Sequence, residues 1–267
     1  VADVALVTGA TRGIGREIAL GLARDGLRLG VLGRDEVALR SVAGECDDAG
    51  ADRTATAVVD VTDTAAVAAA VARIEDELGP VELVIGNAGI REDAPAPLWE
   101  ADADAWWRVV ETNLRGVLTV VHAALPGMVS RGRGRILHVG SGMGQRPNAD
   151  WSAYAVSKAG LSRLTDSLAA MLAGTGVTVV EMSPGLVRTD MTEHMWGPPD
   201  EQPWNDVDRM VDAVRRFARG DLDALHGRFV HAAKDDLDAL VDAAPAITEA
   251  DARTLRLRPY GPDDPLG

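Results

Sequence analysis

Tyr154 and Lys158, four apart in Tyr-Ala-Val-Ser-Lys, are the residues of this sequence whose types and spacing point most directly to chemistry. On a helix they share one face, about 6 Å apart along the axis. A phenol titrating near 10 is a poor proton donor or acceptor at neutral pH. A cation about 4 Å away at an effective dielectric of about 20 favours the phenolate by about 4 kcal/mol before desolvation is counted. Lys158 is therefore expected to lower the Tyr154 pKa. The plainer reading is a solvated helix pair, but with two Tyr (154 and 260) and two Lys (158 and 234) in 267 residues, a chance pair at this spacing is rare.

A second constellation lies near the start: Thr8-Gly9-Ala10-Thr11-Arg12-Gly13-Ile14-Gly15, between a short apolar run and an amphipathic stretch. Glycines let the backbone turn tightly and approach a ligand, and a helix N-terminus offers free N–H groups and the positive end of a dipole. This is where a dinucleotide pyrophosphate belongs. The alternative is an ordinary strand-to-helix turn that is glycine-rich.

The elements that must position these residues follow from periodicity. Apolar runs at 4–7, 28–32, 56–59, 81–85, 135–139, 177–182 and 228–231 read as strands. Amphipathic stretches at 13–25, 36–49, 64–78, 103–129 (interrupted or kinked near Pro126), 152–173 and 207–218 read as helices. Continuous apolar strands alternating with helices predict an α/β, doubly wound fold with a parallel sheet covered on both faces. No linker interrupts the pattern, so residues 1–267 are expected to form a single domain. Residues 190–206 break it with Pro198, Pro199, Pro203, Trp196 and Trp204. They are expected to form a mobile substrate loop, poor in regular hydrogen bonding.

The sequence resembles the short-chain dehydrogenase/reductase family, in its branch with a Thr-Gly-x-x-x-Gly-x-Gly turn. The resemblance rests on that turn, Asp60-Val61, Asn87-Ala88-Gly89, Asn113, Ser141, Tyr154-x-x-x-Lys158, and Pro184-Gly185 followed by Thr189. It covers residues 3–190 well and extends loosely to 232. It implies a Rossmann-type sheet of seven parallel strands in the order 3-2-1-4-5-6-7, and hydride transfer between a nicotinamide dinucleotide and a carbonyl or alcohol. By resemblance Tyr154 protonates the carbonyl oxygen, Ser141 holds it, and Lys158 donates to the nicotinamide ribose. Asn113 anchors a water through which Lys158 exchanges protons. Gly9, Thr11, Arg12, Gly13, Ile14 and Gly15 would cradle the phosphates, Asp60 and Val61 the adenine, and Asn87, Ala88 and Gly89 the adenosine ribose. Pro184, Gly185, Val187 and Thr189 would meet the carboxamide.

Where an acid would select NAD at the end of the second strand, the chain has Gly33 followed by Arg34. With Arg12 this suits the 2′-phosphate of NADP(H), with NAD(H) the second choice and Asp35 the residue that could favour it. The reading is an NADPH-dependent ketone reductase with Tyr154 as general acid. An NAD-dependent alcohol, sugar or steroid dehydrogenase on the same site is the alternative, and a non-catalytic nucleotide-binding module a remoter one. Met143, Gln145, Trp151, Trp196 and Trp204 flank the reactive residues and are the candidates for the substrate pocket.

Composition narrows the rest. A net charge of −14 makes the chain a poor partner for nucleic acid or an anionic membrane. One cysteine, Cys46, leaves no internal disulfide or Cys-rich metal framework, and the five His show no metal-ligand pairing. No apolar run is long enough to span a bilayer, and a cytoplasmic protein is expected. The expected partners are a small carbonyl or alcohol substrate and further copies of the chain, as a homodimer or homotetramer. Residues 233–267 depart from the resembled family as an atypical C-terminal extension, which puts the tetramer in doubt.

Overall fold

Strands apolar on both faces need cover on both sides, and the computed structural model, which describes residues 2–193, 195, 197–261 and 264, provides it. The strands are β1 (Val4–Thr8), β2 (Arg28–Gly33), β3 (Arg53–Val58), β4 (Leu83–Gly86), β5 (Gly134–Val139), β6 (Val177–Ser183) and β7 (Phe229–His231). They form one sheet in the order β3-β2-β1-β4-β5-β6-β7, and every pairing is parallel. The helices are α1 (Gly13–Arg24), α2 (Glu36–Ala49), α3 (Thr64–Leu78), α4 (Ala103–Val110), α5 (Gly116–Arg131), α6 (Ser152–Leu172), α7 (Val207–Arg219), α8 (Leu237–Asp242) and α9 (Ala244–Glu249).

Alternate strand residues enter opposite cores. Ala5, Val7 and Leu29 pack with Ile18 and Leu22 of α1, Leu39 of α2 and Phe217 of α7. Val4 and Leu6 pack with Ile74 of α3, Met128 of α5 and Leu161 of α6. Each fully buried Leu or Ile contributes about 1.5–3 kcal/mol. The strand order reverses between β1 and β4, which opens a crevice beyond their carboxyl ends. Thr8 fixes its width: its hydroxyl donates to Ile85 O (3.2 Å) and accepts from Asn87 N (2.9 Å) and Ala88 N (3.0 Å).

The helix expected over 103–129 is divided. A π-helical turn at Glu111–Arg115 separates α4 from α5, and its wide turn aims Asn113 into the interior. Pro126 does not end α5, which runs through it. Pro126 has no N–H to give the His122 carbonyl, and both residues are exposed.

The extension beyond residue 232 begins with α8 and α9 and then covers the outer edge of β7. Phe229 N donates to Arg253 O (2.9 Å), the Arg253 guanidinium donates to Phe229 O (3.2 Å), and His231 N donates to Asp235 Oδ2 (2.7 Å). Arg253 also grips Asp235 through two hydrogen bonds (2.6 and 2.9 Å). The groups that an edge strand would offer to another strand are thus satisfied within the chain.

Candidate active site

The glycine turn needs its glycines for space. Gly9 and Gly13 have φ of 62° and 56°, in the left-handed region. A Cβ on Gly15 would stand 2.3 Å from Gly9 O and 2.4 Å from Asn87 Nδ2. Asn87 in turn donates to Thr8 O (2.9 Å) and Gly9 O (3.2 Å), locking the turn to the end of β4. Asp35, Asp63 and Asp102 cap α2, α3 and α4 with their side chains, whereas α1 begins at Arg12 without a side-chain cap. Its first N–H groups are left to a ligand, as a phosphate cradle requires.

All the residues expected to meet a dinucleotide line one cleft. They run from Gly9 and residues 11–15 through Arg34, Asp60, Val61 and Asn87–Gly89 to Pro184, Gly185, Val187 and Thr189. Arg12 and Arg34 are 76% and 73% exposed, Arg12 paired with Asp190 (3.0 Å) and Arg34 3.8 Å from Asp60. Hydrogen bonds from Thr62 hold the Asp60 carboxyl below its ordinary range, against burial, and Arg34 adds to this. A Cβ at Gly33 would come 2.7 Å from the Thr11 methyl, so an acidic side chain there would displace Thr11. Asp35, the residue that could have replaced that acid, accepts from Ala38 N (3.0 Å) as the cap of α2.

Ser141, Tyr154 and Lys158 line the other end of the same cleft. Ser141 follows β5; its oxygen accepts from Met143 N (3.2 Å), which leaves its proton to donate. Lys158 is buried, its Nζ donating to Val139 O (2.8 Å) and standing 5.5 Å from the centre of the Tyr154 ring. The expected lowering of the Tyr154 pKa does not hold here. Burial raises it, the Ser141 hydroxyl opposes that, and the Glu92 carboxylate raises it further. Burial also pushes Lys158 down to about 8, against the attraction of Glu181. Desolvation is the largest cause for both groups.

Asn113 is fully buried behind the cleft wall. Its amide donates to Ile90 O (2.8 Å) and Ser157 Oγ (2.9 Å), and its oxygen accepts from Ile90 N (2.8 Å). Sequence reasoning missed Glu92. α6 begins at Trp151 without a side-chain cap of its own, and Glu92 supplies one, accepting from Ala153 N (2.7 Å) and Tyr154 N (3.3 Å). The bond spans 61 residues, so no local pattern could reveal it.

Met143, Gln145, Trp151 and Trp204 do not line the cleft; Ile90, Met191 and Thr192 do. Gln145 donates to Ser162 Oγ (2.9 Å), and Trp151 is buried with the Arg91 guanidinium 4.7 Å over its ring. The Trp204 indole donates to Pro199 O (2.6 Å), and Trp196 lies outside the described residues. Individual hydrogen bonds tie the described part of the loop. Thr192 Oγ1 donates to Val187 O (2.5 Å), residues Pro199–Glu201 form a 3-10 turn, and Asn205 exchanges two bonds with Leu186 (2.7 and 3.0 Å). Among the described residues no group of three His, Cys, Asp or Glu could hold a metal, and no helix is long and apolar enough to cross a membrane.

Comparison with known proteins agrees with this geometry. The model of the short chain dehydrogenase family matches residues 3–198. A putative ketoacyl reductase of Streptomyces coelicolor is 41% identical over 222 residues, 80% of this chain and 84% of that protein. The 3-oxoacyl-[acyl-carrier-protein] reductase of Vibrio cholerae is 38% identical over 190 residues, 71% of this chain and 75% of that protein. Among solved structures, a gluconate 5-dehydrogenase of Burkholderia cenocepacia in complex with NADP and tartrate superposes with a TM-score of 0.78 at 28% identity. That match covers 85% of this chain and 92% of the other.

Proposed function

The chain belongs to the short chain dehydrogenase family, and on that premise we propose that it is an NADPH-dependent reductase converting a ketone to a secondary alcohol. The observation that carries this reading is the shape of one cleft, with an uncapped glycine turn at one end and Ser141, Tyr154 and Lys158 at the other. A nicotinamide dinucleotide bound there would supply the hydride. Tyr154 donates its phenolic proton to the carbonyl oxygen, and the Ser141 hydroxyl donates a hydrogen bond to the same oxygen. A Tyr154 pKa raised by burial keeps that proton in place at neutral pH, which suits the reductive direction. Lys158 offers a charge beside the phenol and a donor for the ribose, while Asn113 holds the wall at Ile90 and Ser157.

Arg12 and Arg34, exposed in the cleft beside a position where an acidic side chain would have to displace Thr11, support NADPH over NADH. The NADP bound by the gluconate 5-dehydrogenase supports a nicotinamide dinucleotide as the cofactor. The names of the ketoacyl and 3-oxoacyl reductases support a ketone as the oxidised partner. Residues 190–206 form the substrate loop, reaching the cleft through Met191 and Thr192. Exposed Trp107, Leu118, Val156 and Met171 on α4, α5 and α6 form the contact of a homodimer, and the sealed β7 edge opposes growth to a tetramer through the sheet. A reducing cytoplasm suits its one free cysteine.

The test is a panel of ketones with NADPH and with NADH, run on the parent enzyme and on Tyr154→Phe. The parent should oxidise NADPH in preference to NADH. Tyr154→Phe should lower kcat about 10²- to 10⁴-fold. Tyr154→Phe turning over at the parent rate would refute the mechanism.

A further inference from the structure

Behind the reactive lysine, on the face of the sheet that α6 covers, lies a carboxylate with no part in the reaction described above. Glu181 of β6 is 2% exposed, and its register partner on β5 is His138, itself fully buried. A Cβ on Gly140 would fall 2.1 Å from Glu181 Oε1. The carboxylate thus lies against the Gly140 backbone, between Val139, whose carbonyl accepts the Lys158 Nζ, and Ser141. Only glycine at 140 leaves it that room. Glu181 Oε1 and His138 Nε2 both lack a protein hydrogen-bond partner among the described residues.

The tautomer of His138 follows from its neighbours. Thr165 Oγ1 spends its proton on Leu161 O (2.9 Å), so it accepts from His138 Nδ1 (2.8 Å), and Nε2 carries the lone pair. Burial holds the His138 pKa down to about 3, the Lys158 charge adding to this, so the ring is neutral. The titratable groups around Lys158 are Tyr154 on its own helix, His138 on β5 and Glu181 on β6. Facing Glu181 are Lys158 from α6 and His138 from β5, with Ser162 of α6 hydrogen-bonding its carboxyl. Among these groups the one carboxylate is Glu181. Burial pushes it up to about 7, and the Lys158 charge pulls the other way.

We infer that Glu181 is a positioning residue of the reactive site, the buried counter-charge that keeps Lys158 protonated on the Val139 carbonyl and beside Tyr154. It touches neither substrate nor dinucleotide and acts through Lys158. A buried ammonium that loses its only counter-charge sheds its proton more readily. The inference deepens the reductase reading, because it concerns the lysine on which that reading depends.

The chain makes the measurement direct. It contains two lysines, and Lys234 is exposed, so Lys234→Arg leaves a single signal in a [13Cε]lysine NMR titration, that of Lys158. Glu181→Gln should move the Lys158 midpoint down by at least one pH unit. The basic limb of kcat/KM for ketone reduction should move with it, while the rate below that limb returns toward the parent value. A purely structural role would lower the whole profile without moving the limb. Glu181→Asp, which withdraws the carboxylate by one methylene, should give a smaller shift in the same direction, and it serves if the glutamine variant does not fold. An unmoved Lys158 midpoint in a folded variant overturns the inference. The lysine titration needs neither turnover nor dinucleotide, so an enzyme that reduced no ketone would defeat the reductase reading while leaving this readout intact.

Discussion

Both walls of the cleft are tied by side chains that reach main-chain atoms, but the wall formed by β1, β4 and the start of α1 also depends on a backbone approach that only glycine permits, whereas the wall that includes Val187, Thr189, Met191 and Thr192 does not. On the first wall, Thr8 and Asn87 bind main-chain atoms across the switch point, and Gly15 lets two backbones approach where no Cβ fits. On the second, Thr192, Trp204 and Arg91 donate to Val187 O, Pro199 O and Met191 O. A backbone approach restricts residue type severely, so it leaves a pattern in the sequence. A carbonyl can be reached by many donors from many places, so a loop held in that way leaves none.

The comparison breaks most readily at Gly15. Gly15→Ala places a methyl 2.3 Å from Gly9 O, and neither that carbonyl nor Asn87 can retreat without loosening the β1–β4 junction. Overpacking of this kind costs about 1–3 kcal/mol. The expected outcome is a lower Tm together with at least tenfold weaker NADPH binding by fluorescence titration. Unchanged affinity would show that the turn does not carry the phosphates.

Next in size is Arg34→Asp, which tests whether the exposed arginines read a 2′-phosphate. Losing a charge-assisted hydrogen bond costs about 1.5–3 kcal/mol, or about 10- to 150-fold in Kd. NADPH should weaken by that much while NADH binds as well or better. Arg34→Gln should weaken NADPH without improving NADH. An unchanged ratio of the two affinities would remove the cofactor assignment.

All seven strands and most of the helices were legible in the sequence, because parallel strands buried on both faces leave continuous apolar runs, whereas the sheet order came from the resemblance to the family. The glycines of the turn stood out for the steric reason above, whereas Asp60, Val61, Asn87 and Thr189 stood out only through the resemblance. Three kinds of feature were not legible. The π-helical turn at Asn113 was read as plain helix, since one inserted residue barely disturbs a 3.6-residue period. Glu92 and Glu181 act across 61 and 23 residues, on the α6 N-terminus and on Lys158, and nothing local marks either distance. The sign of the Tyr154 shift was misjudged because spacing shows the charge but not the desolvation around it.

His138 gives a pH test of that hidden polar layer. Its folded pKa, about 3, lies below the ordinary 6.5, so its contribution to stability is full above pH 6.5 and falls as the pH drops, by about 1.4 kcal/mol per unit. Glu181 works the other way: raised from 4.5 to about 7, it makes the fold more stable as the pH falls through that window. The parent should therefore show a shallow dependence in urea unfolding between pH 6.5 and 5. His138→Gln should become relatively more stable than the parent as the pH falls, by about 1–2 kcal/mol across the window. A constant difference between the two proteins would mean that His138 takes up its proton in the fold as readily as in the unfolded chain.

The smallest expected effect lies on the loop wall, at Trp204. Its indole N–H donates to Pro199 O inside the loop, the ring is half-buried, and no atom of it lines the cleft. Trp204→Phe keeps an aromatic ring and removes one hydrogen bond, worth about 0.5–1.5 kcal/mol net. If the loop keeps this arrangement during turnover, kcat should hold and KM should change less than about threefold, in line with a loss at the low end of that range. Suppose instead that KM for a bulky cyclic ketone rises tenfold while Tm and NADPH affinity stay at parent values. The indole would then have left Pro199 and turned onto the substrate. Hydrogen exchange at residues 197–205 with NADPH alone, and then with the ketone added, separates the two cases. Protection that appears only with ketone marks a wall completed by substrate, whereas equal protection in both keeps Trp204 as a brace within the loop.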